Sequence, residues 1–337
     1  MLLALLLSCA NDGTLILEGA GDAVEHKIYG GSAPHAAEHD AVVALHQLAR
    51  GGKSVYVSPF CTGTLIRGDV VLTAAHCLSG KSANKVAIFV GDEASTDPAD
   101  SNYIWDHLYS VSELQYHSGY NSGSLINDIG ILRLDTDAAS AEAVTPVPEL
   151  PASVGFTSAD VGVTNLNFAG FGETETGSSG VLLQVDGTLG GLGCSVSGCP
   201  SGGDTATQIS YSQPTSGPCF GDSGGPAFVD RSGTVYVGGL TSYGDSGCAV
   251  YGVSTRTDAY ESWIGDFADP GGGDTGSTAD TGTSSGDCGD GVCGTGESCD
   301  GRDGTSSCSA DCDGVTKGKP TNRYCYVEGT CEGPGCP

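Results

Sequence analysis

Short apolar runs separated by glycine-rich turns dominate most of the chain. The clearest runs, at residues 41–48, 61–66, 70–73, 182–189 and 208–211, each have the length and the apolar content of a β-strand. The runs at 61–66 and 70–73 flank the turn Arg67-Gly68-Asp69, so they predict a strand pair. Long helical patterns are few. The pattern therefore predicts an all-β protein.

The apolar runs stop near residue 268, and the composition changes twice after that point. Residues 269–287 are almost all Gly, Ser, Thr, Asp, Ala and Pro, which cannot bury a core and predict a flexible acidic linker. Residues 288–337 carry eight cysteines and hardly any aliphatic side chains, so disulfides must hold this part together. The sequence thus predicts a large β domain, a linker and a small disulfide-rich module.

Charge and cysteine content narrow the partners and the compartment. The chain has 337 residues with 41 acidic and 13 basic side chains, a formal net charge of −28, which repels nucleic acid and anionic lipid headgroups. Its 15 cysteines include no CxxC pair, and the central ones lie far apart, which favours disulfides over zinc and an oxidising compartment. The odd cysteine is Cys9.

The beginning of the chain carries a short targeting pattern. Residues 1–7 are apolar and Ser8-Cys9 follows, which resembles a bacterial lipoprotein signal whose cysteine receives the lipid. The alternative is an ordinary secretory signal. Either interpretation predicts an extracellular or cell-envelope protein, and a lipid on Cys9 is the only membrane attachment that the sequence suggests. Residues 10–27 are then expected to be a propeptide.

The strongest candidate chemistry lies in the stretch Cys219-Phe220-Gly221-Asp222-Ser223-Gly224-Gly225-Pro226. A serine hydroxyl becomes a nucleophile only with a base to take its proton and donors to hold the developing negative charge. Gly221 permits a tight turn that aims its own N–H and that of Ser223 at one point. The alternative is a simple glycine-rich turn between strands.

Two further motifs supply the missing groups. His76 follows the strand at 70–73 in Thr73-Ala74-Ala75-His76-Cys77, and Asp128 opens the apolar strand Ile129-Gly130-Ile131-Leu132. Taken alone, each has a structural alternative: a core histidine, and an aspartate that satisfies free amides at a strand start. Together with Ser223, in the order His, Asp, Ser, they resemble the chymotrypsin–trypsin family of serine proteases.

The resemblance covers residues 28–268 and implies a fold. That fold is two six-stranded antiparallel Greek-key β-barrels with a C-terminal helix, here residues 258–268. The segment Ala169-Gly170-Phe171-Gly172 resembles the family's glycine–aromatic–glycine turn at the second barrel. The family also implies disulfides Cys61–Cys77 and Cys219–Cys248. A local pair Cys194–Cys199 is expected in a region where the family has a longer disulfide loop.

The resemblance implies roles for these residues in hydrolysing protein or peptide substrates. His76 would act as the base, Asp128 would orient it, Ser223 would attack, and the amides of Gly221 and Ser223 would form the oxyanion hole. No cofactor or metal is implied. The chain would be a zymogen, cut between Lys27 and Ile28 by a protease that cleaves after basic residues. The new amine at Ile28 would pair with Asp222.

The resemblance also locates the specificity pocket. Six residues before Ser223, where trypsin-like enzymes have an acid, stands Gly217, followed by Pro218. Ser242, Tyr243 and Gly244 match the pocket-edge strand, and Gly244 and Gly252 match the two wall positions. An uncharged, open slot is expected to take a large apolar or aromatic side chain, although Asp245 near the rim leaves attraction of a basic one open.

The tail adds a second, weaker resemblance. From Cys288 it resembles the cysteine-rich repeats on secreted proteins of myxobacteria and related bacteria. Its acidic residues Asp290, Glu297, Asp300 and Asp303 lack EF-hand spacing, so no metal site is predicted. Two alternatives to an active protease remain: an inactive relative that uses the fold for binding, and a cell-surface adhesion protein in which the cysteine-rich tail binds the ligand.

Overall fold

The computed structural model describes the predicted β domain almost completely. Described are residues 28, 31–34, 36–51, 54–94, 101–174, 179–200 and 203–269, with the backbone of five short strands between 297 and 332. Cys9, Lys27, the propeptide and all of the linker beyond Asp269 lie outside the described residues. The expectations that concern them stay predictions.

The first half of the domain is a closed six-stranded barrel. Its strands are β1 (Val42–Gly51), β2 (Ser54–Leu65), β3 (Val70–Thr73), β4 (Val86–Val90), β5 (Leu108–Tyr116) and β6 (Gly130–Leu134). They pair antiparallel around the barrel in the order β1-β2-β3-β6-β5-β4. Leu45, Leu72, Ile88 and Leu132 are fully buried inside it, as their apolar runs predicted.

The second half is a seven-stranded antiparallel sheet. Its strands are β7 (Asn165–Gly170), β8 (Leu183–Thr188), β9 (Gly191–Leu192), β10 (Gln208–Ser212), β11 (Pro226–Arg231), β12 (Thr234–Gly244) and β13 (Tyr251–Arg256), in the order β8-β7-β11-β12-β13-β10-β9. The sequence predicted six strands here.

The extra strand has a simple cause. The edge strands β8 and β9 are consecutive, separated only by Leu189 and Gly190. The amide of Leu189 donates to Thr164 beside β7 at 2.9 Å, and that of Gly190 donates to Ser210 on β10 at 2.8 Å. One chain segment therefore changes partners at a bend, and the sheet curls until its two edges meet through the chain itself. The all-β double-barrel prediction is confirmed.

Helices are short and lie at the ends of strands. The α-helices are α1 (Ala75–Leu78), α2 (Ser101–Asp106), α3 (Ala138–Glu142) and α4 (Glu261–Ala268), with 3₁₀ turns at Ala37–Ala41, Ala83–Lys85, Ala152–Val154, Ser158–Asp160 and Asp258–Tyr260. The predicted closing helix is the turn Asp258–Tyr260 with α4, and it packs Ile264 and Phe267 on the core of the first barrel. None of the helices in the described ranges has the length and apolarity needed to cross a bilayer.

Three disulfides brace the domain, in the pairs that were expected. Cys61 is joined to Cys77, Cys194 to Cys199, and Cys219 to Cys248. In the tail, β14 (Glu297–Ser298) pairs parallel with β15 (Ser306–Ser307), and β16 (Gly314–Val315), β17 (Tyr324–Val327) and β18 (Thr330–Glu332) form an antiparallel sheet. The disulfide framework predicted for the tail lies outside what is described.

Candidate active site

A buried carboxylate links three elements from both halves of the domain. Asp128 lies just before β6 and is 0% exposed. Its Oδ1 accepts the backbone N–H of His76 at 2.8 Å, and its Oδ2 accepts the Nδ1–H of His76 at 2.7 Å. Oδ2 also accepts the hydroxyl of Ser242, on β12, at 2.6 Å. A carboxylate only accepts, so His76 must carry its proton on Nδ1, and a neutral ring keeps Nε2 as a free base.

His76 is held in place by its own segment. It lies on α1, directly after β3, and its side chain is about one quarter exposed. The adjacent Cys77 is tied to Cys61 on β2 by a disulfide, and its Sγ lies 3.6 Å from the carbonyl oxygen of Ser223. Among the described residues, Nε2 of His76 has no hydrogen-bond partner, so this atom is available to a ligand. The two sulfurs near His76 are oxidised and cannot serve as metal ligands.

The loop that carries Ser223 spends its backbone amides in an alternating way. The amide of Asp222 donates to Cys219, that of Gly224 to Thr241 on β12, and that of Gly225 to Asp222. The amides of Gly221 and Ser223, by contrast, donate to nothing in the described part of the chain. Two N–H groups, two residues apart, are therefore left to bind an electronegative atom.

This loop has a backbone that only glycine adopts easily. Gly221 has φ of +97°, and a Cβ built there would lie 2.8 Å from the Cα of Gly172. The hydroxyl of Thr62 on β2 donates to the carbonyl of Gly221 at 2.9 Å, and the amide of Thr62 donates to the carbonyl of Ser223 at 2.9 Å. The first barrel thus fixes the conformation of the serine loop on the second.

The structure does not hydrogen-bond His76 to Ser223. Within the described residues, Nε2 of His76 and Oγ of Ser223 are each without a partner. Catalytic hydrogen bonds in unliganded enzymes are often long or poorly aligned and tighten when the substrate is bound. The structure therefore brings His76, Asp128 and Ser242 into direct contact, and brings Ser223 beside them through Thr62 and Cys77.

Asp222 is a second buried carboxylate, and it has no cation. It is 1% exposed and accepts the amides of Gly172 and Cys219, both at 2.8 Å. Burial raises its pKa to about 7, against the lowering effect of these two amides. No basic side chain pairs with it among the described residues. Ile28 is also fully buried, in the core of the second sheet.

A cavity of about 320 Å³ opens beside Ser223. Of the predicted pocket residues, Pro218, Ser242, Tyr243, Gly244 and Gly252 line it, together with both cysteines of the Cys219–Cys248 disulfide. Gly217 does not line it, because the space into which a side chain there would project is filled by Gln213. Asp245 lines it, but its carboxylate accepts four backbone amides, from Gly247, Ala249, Val250 and Tyr251.

Three lining residues were missed from the sequence: Tyr211, Gln213 and Phe220. Tyr211 ends the strand at 208–211 and Gln213 lies just after it, where a strand pattern gives no hint of a pocket. Phe220 is 59% exposed beside the serine loop, an unusual place for a large apolar side chain. It also borders a second cavity of about 190 Å³ with Phe60, Phe171 and Glu173.

Known proteins share this arrangement. A family model described as trypsin matches residues 28–264. The chain is 31% identical over 231 residues to trypsin epsilon of Drosophila erecta, covering 65% of this chain and 79% of that protein. It is 33% identical over 210 residues to chymotrypsin-2 of Vespa crabro, covering 61% and 87% respectively.

A solved structure gives the same result at the level of the fold. The VesB protease of Vibrio cholerae superposes with a TM-score of 0.55 at 25% identity, over 72% of this chain and 68% of that one. The sequence match runs from the buried Ile28 through both halves of the domain into α4. The chain therefore belongs to the trypsin family and is a serine endopeptidase.

Proposed function

We propose that His76, Asp128 and Ser223 are the catalytic triad of this endopeptidase. One observation carries the proposal: the chain of hydrogen bonds from Ser242 through Asp128 to His76 ends at a free Nε2, beside a cavity that Ser223 lines. Asp128 holds the proton on Nδ1, so Nε2 is in the form that accepts the hydroxyl proton.

The reaction follows from these positions. Nε2 of His76 takes the proton of Ser223 as its oxygen attacks the peptide carbonyl, and the imidazolium formed is stabilised by Asp128. The carbonyl oxygen becomes negative and is held by the amides of Gly221 and Ser223, which make no other hydrogen bond. His76 then protonates the leaving amine. Water, activated by the same nitrogen, releases the acyl group from Ser223.

Activation is proposed to occur by cleavage between Lys27 and Ile28. A buried, unpaired carboxylate is costly, and the raised pKa of Asp222 expresses that cost. A new ammonium at Ile28 would neutralise Asp222 and fix the turn that contains Gly221 and Ser223. Since the pocket is expected to prefer apolar residues, another protease must cut after Lys27. A purified precursor that matures unaided at this bond would contradict the proposal.

The cavity supports the preference for large apolar or aromatic side chains. Its one acidic residue, Asp245, has its carboxylate engaged by four backbone amides, which outweigh burial and lower its pKa. No other charged side chain lines the described cavity. A basic substrate side chain would therefore lack a counter-charge at the base of the pocket.

The location is proposed as extracellular or on the cell envelope of a bacterium. Trypsin-like proteases are mostly secreted, and the three disulfides are consistent with that. If Cys9 carries lipid, cleavage after Lys27 separates the anchor from the protease and releases it. Membrane fractionation before and after limited trypsin treatment tests this, and a mature domain that stays with the membrane would contradict it.

Hydrolysis of a peptide library by protein cut at Lys27 tests the proposal as a whole. We expect cleavage by the wild type and none above background by Ser223→Ala, since removal of a triad residue costs about 10⁶-fold. Two alternatives are distinguished by the same material. An inactive binding protein would cleave nothing while folded, and an adhesion protein would show ligand binding by residues 287–337 that persists in Ser223→Ala.

A further inference from the structure

The floor of the cavity beside Ser223 is formed by a side chain that the serine motif does not include. Gln213 lies just beyond β10, is 1% exposed and lines the cavity. A Cβ built at Gly217 would lie 2.7 Å from the Cβ of Gln213 and 2.8 Å from its Oε1. Gln213 therefore fills the place that a side chain at position 217 would otherwise take.

The orientation of the Gln213 amide is fixed by its neighbours. Its nitrogen lies 3.1 Å from the carbonyl oxygen of Pro218. A carbonyl oxygen only accepts, so the atom facing it must be the NH₂ group, which donates. The remaining atom, Oε1, is an acceptor with no hydrogen-bond partner.

An unpaired buried acceptor of this kind is costly, because it has lost water and gained nothing in return. The other polar group deep in the cavity does not relieve it: the phenol of Tyr211 lies 3.3 Å from the hydroxyl of Ser254. Oε1 itself is covered in the empty cavity, so bulk water does not serve it. The last torsion of a glutamine is soft, and the amide turns readily toward a donor that enters the cavity.

We propose that Gln213 determines specificity in this cavity, and that its Oε1 accepts a hydrogen bond from the tip of the substrate side chain, so that the enzyme prefers tyrosine to phenylalanine before the cleaved bond. The inference rests on the proposed function and sharpens it. Tyr211 and the backbone of Gly252 offer an apolar wall for an aromatic ring. A phenol carries a donor at the far end of that ring, and phenylalanine does not.

Four matched peptides test the inference on protein cut at Lys27. They differ only in the residue before the cleaved bond: phenylalanine, 4-methylphenylalanine, tyrosine and 4-aminophenylalanine. The methyl compound has the length of tyrosine without a donor, and the amino compound has a donor without a hydroxyl. We expect kcat/KM to be about tenfold higher for the two donor-bearing side chains, the size of effect that pairing a buried acceptor gives.

The variant Gln213→Met keeps the volume of the side chain and removes the acceptor. In it the ratio of kcat/KM for tyrosine to 4-methylphenylalanine should fall to within about twofold of unity. Gln115→Met, at an exposed position on β5, is the control and should keep the wild-type ratio. If Gln213→Met does not fold, the four peptides on the wild type still decide the matter.

Labelling of Ser223 by a fluorophosphonate separates the possible failures. A labelled wild type that cleaves 4-methylphenylalanine as well as tyrosine overturns the role of Gln213 and leaves the proposed function intact. A labelled Gln213→Met that keeps the tyrosine preference does the same. A folded, Lys27-cut protein that is not labelled overturns both.

Discussion

At the scale of single residues, the site depends on which hydrogen atoms point at Asp128. Its Oδ2 receives two donors, the Nδ1–H of His76 and the hydroxyl of Ser242. Both bonds are made to an ionised acceptor in a fully buried place, where each is stronger than a neutral bond. The histidine tautomer is therefore set by a carboxylate that is itself set by a serine on the other half of the domain.

Replacing Asp128 by asparagine tests this hydrogen-bond pattern. One oxygen becomes an NH₂ group, which cannot accept, so His76 is driven to carry its proton on Nε2, where it is no longer a base for Ser223. We expect kcat to fall about 10⁴-fold with the fold retained. Peptide hydrolysis and circular dichroism of the Lys27-cut variant check this. Activity within about tenfold of the wild type would contradict the assigned tautomer.

Ser242→Ala is the milder partner of that variant. It removes one donor to Asp128 and leaves the His76 contact in place, so we expect kcat to fall by about tenfold, in keeping with the loss of a single hydrogen bond to a charged group. Since Ser242 also lines the cavity, KM is measured alongside kcat. A change in KM alone would indicate that Ser242 acts on substrate binding and not through Asp128.

At the scale of elements, the sequence indicated most of the strands but missed the way they meet. The runs at 41–48, 61–66 and 70–73 correspond to β1, the end of β2 and β3, because apolar alternation reports the burial of each strand directly. The bend between β8 and β9 was missed, because two residues with ordinary strand-like neighbours do not reveal that the chain changes partners there. Gln213 was missed for a similar reason: its role comes from packing across β10, not from its neighbours in sequence.

The Cys219–Cys248 disulfide connects the serine loop to the segment between β12 and β13. Both cysteines line the cavity, and the bond spans a sequence separation of 29 residues. Replacing both by serine should lower the free energy of unfolding by about 3 kcal/mol and raise KM, because the loop closure and one cavity wall are both lost. Urea unfolding under non-reducing conditions and peptide kinetics measure the two effects.

The matched control is the pair Cys194→Ser and Cys199→Ser. This disulfide closes a sequence separation of only 5 residues and neither cysteine lines the cavity. It should cost less stability and leave KM unchanged. An equal rise of KM in both double variants would show that disulfide loss acts through general loosening and not through the cavity wall.

At the scale of the whole molecule, Asp222 couples the charge state of the uncut chain to its stability. Its pKa is raised from 3.8 to about 7 by burial. Below about pH 4 the carboxyl is neutral in both the folded and the unfolded chain, and it has no effect. As pH rises from 4 to 7, the unfolded chain loses its proton and the folded chain keeps it, so stability falls by an amount on the order of 4 kcal/mol.

The uncut protein should therefore lose stability between pH 5 and 8 relative to Asp222→Asn, which does not titrate. Urea unfolding of both proteins at several pH values measures the difference. After cleavage at Lys27, the loss should disappear, because the new ammonium stabilises the ionised form. Parallel pH profiles for the uncut wild type and Asp222→Asn would refute the buried, unpaired carboxylate.

The whole-molecule picture also shows why the motifs were easier to predict than the pocket. Ser223, His76 and Asp128 each lie in short local patterns with a fixed order along the chain, and the chemistry restricts which residue types fit. The cavity combines side chains from β10, the serine loop and β12, and no local pattern encodes that combination. Its aromatic and amide floor, Tyr211 and Gln213, emerged only from the packing.

The central claim is that Ser223 is the nucleophile of an acyl-enzyme. Mass spectrometry of the Lys27-cut protein, quenched in acid during turnover of a slowly deacylated ester, tests it most directly. We predict a mass increase equal to the acyl group, located on the peptide that contains Ser223 and absent from Ser223→Ala and from unfolded protein. Ester or peptide turnover by folded Ser223→Ala, or an acyl group on any other residue, would contradict the account.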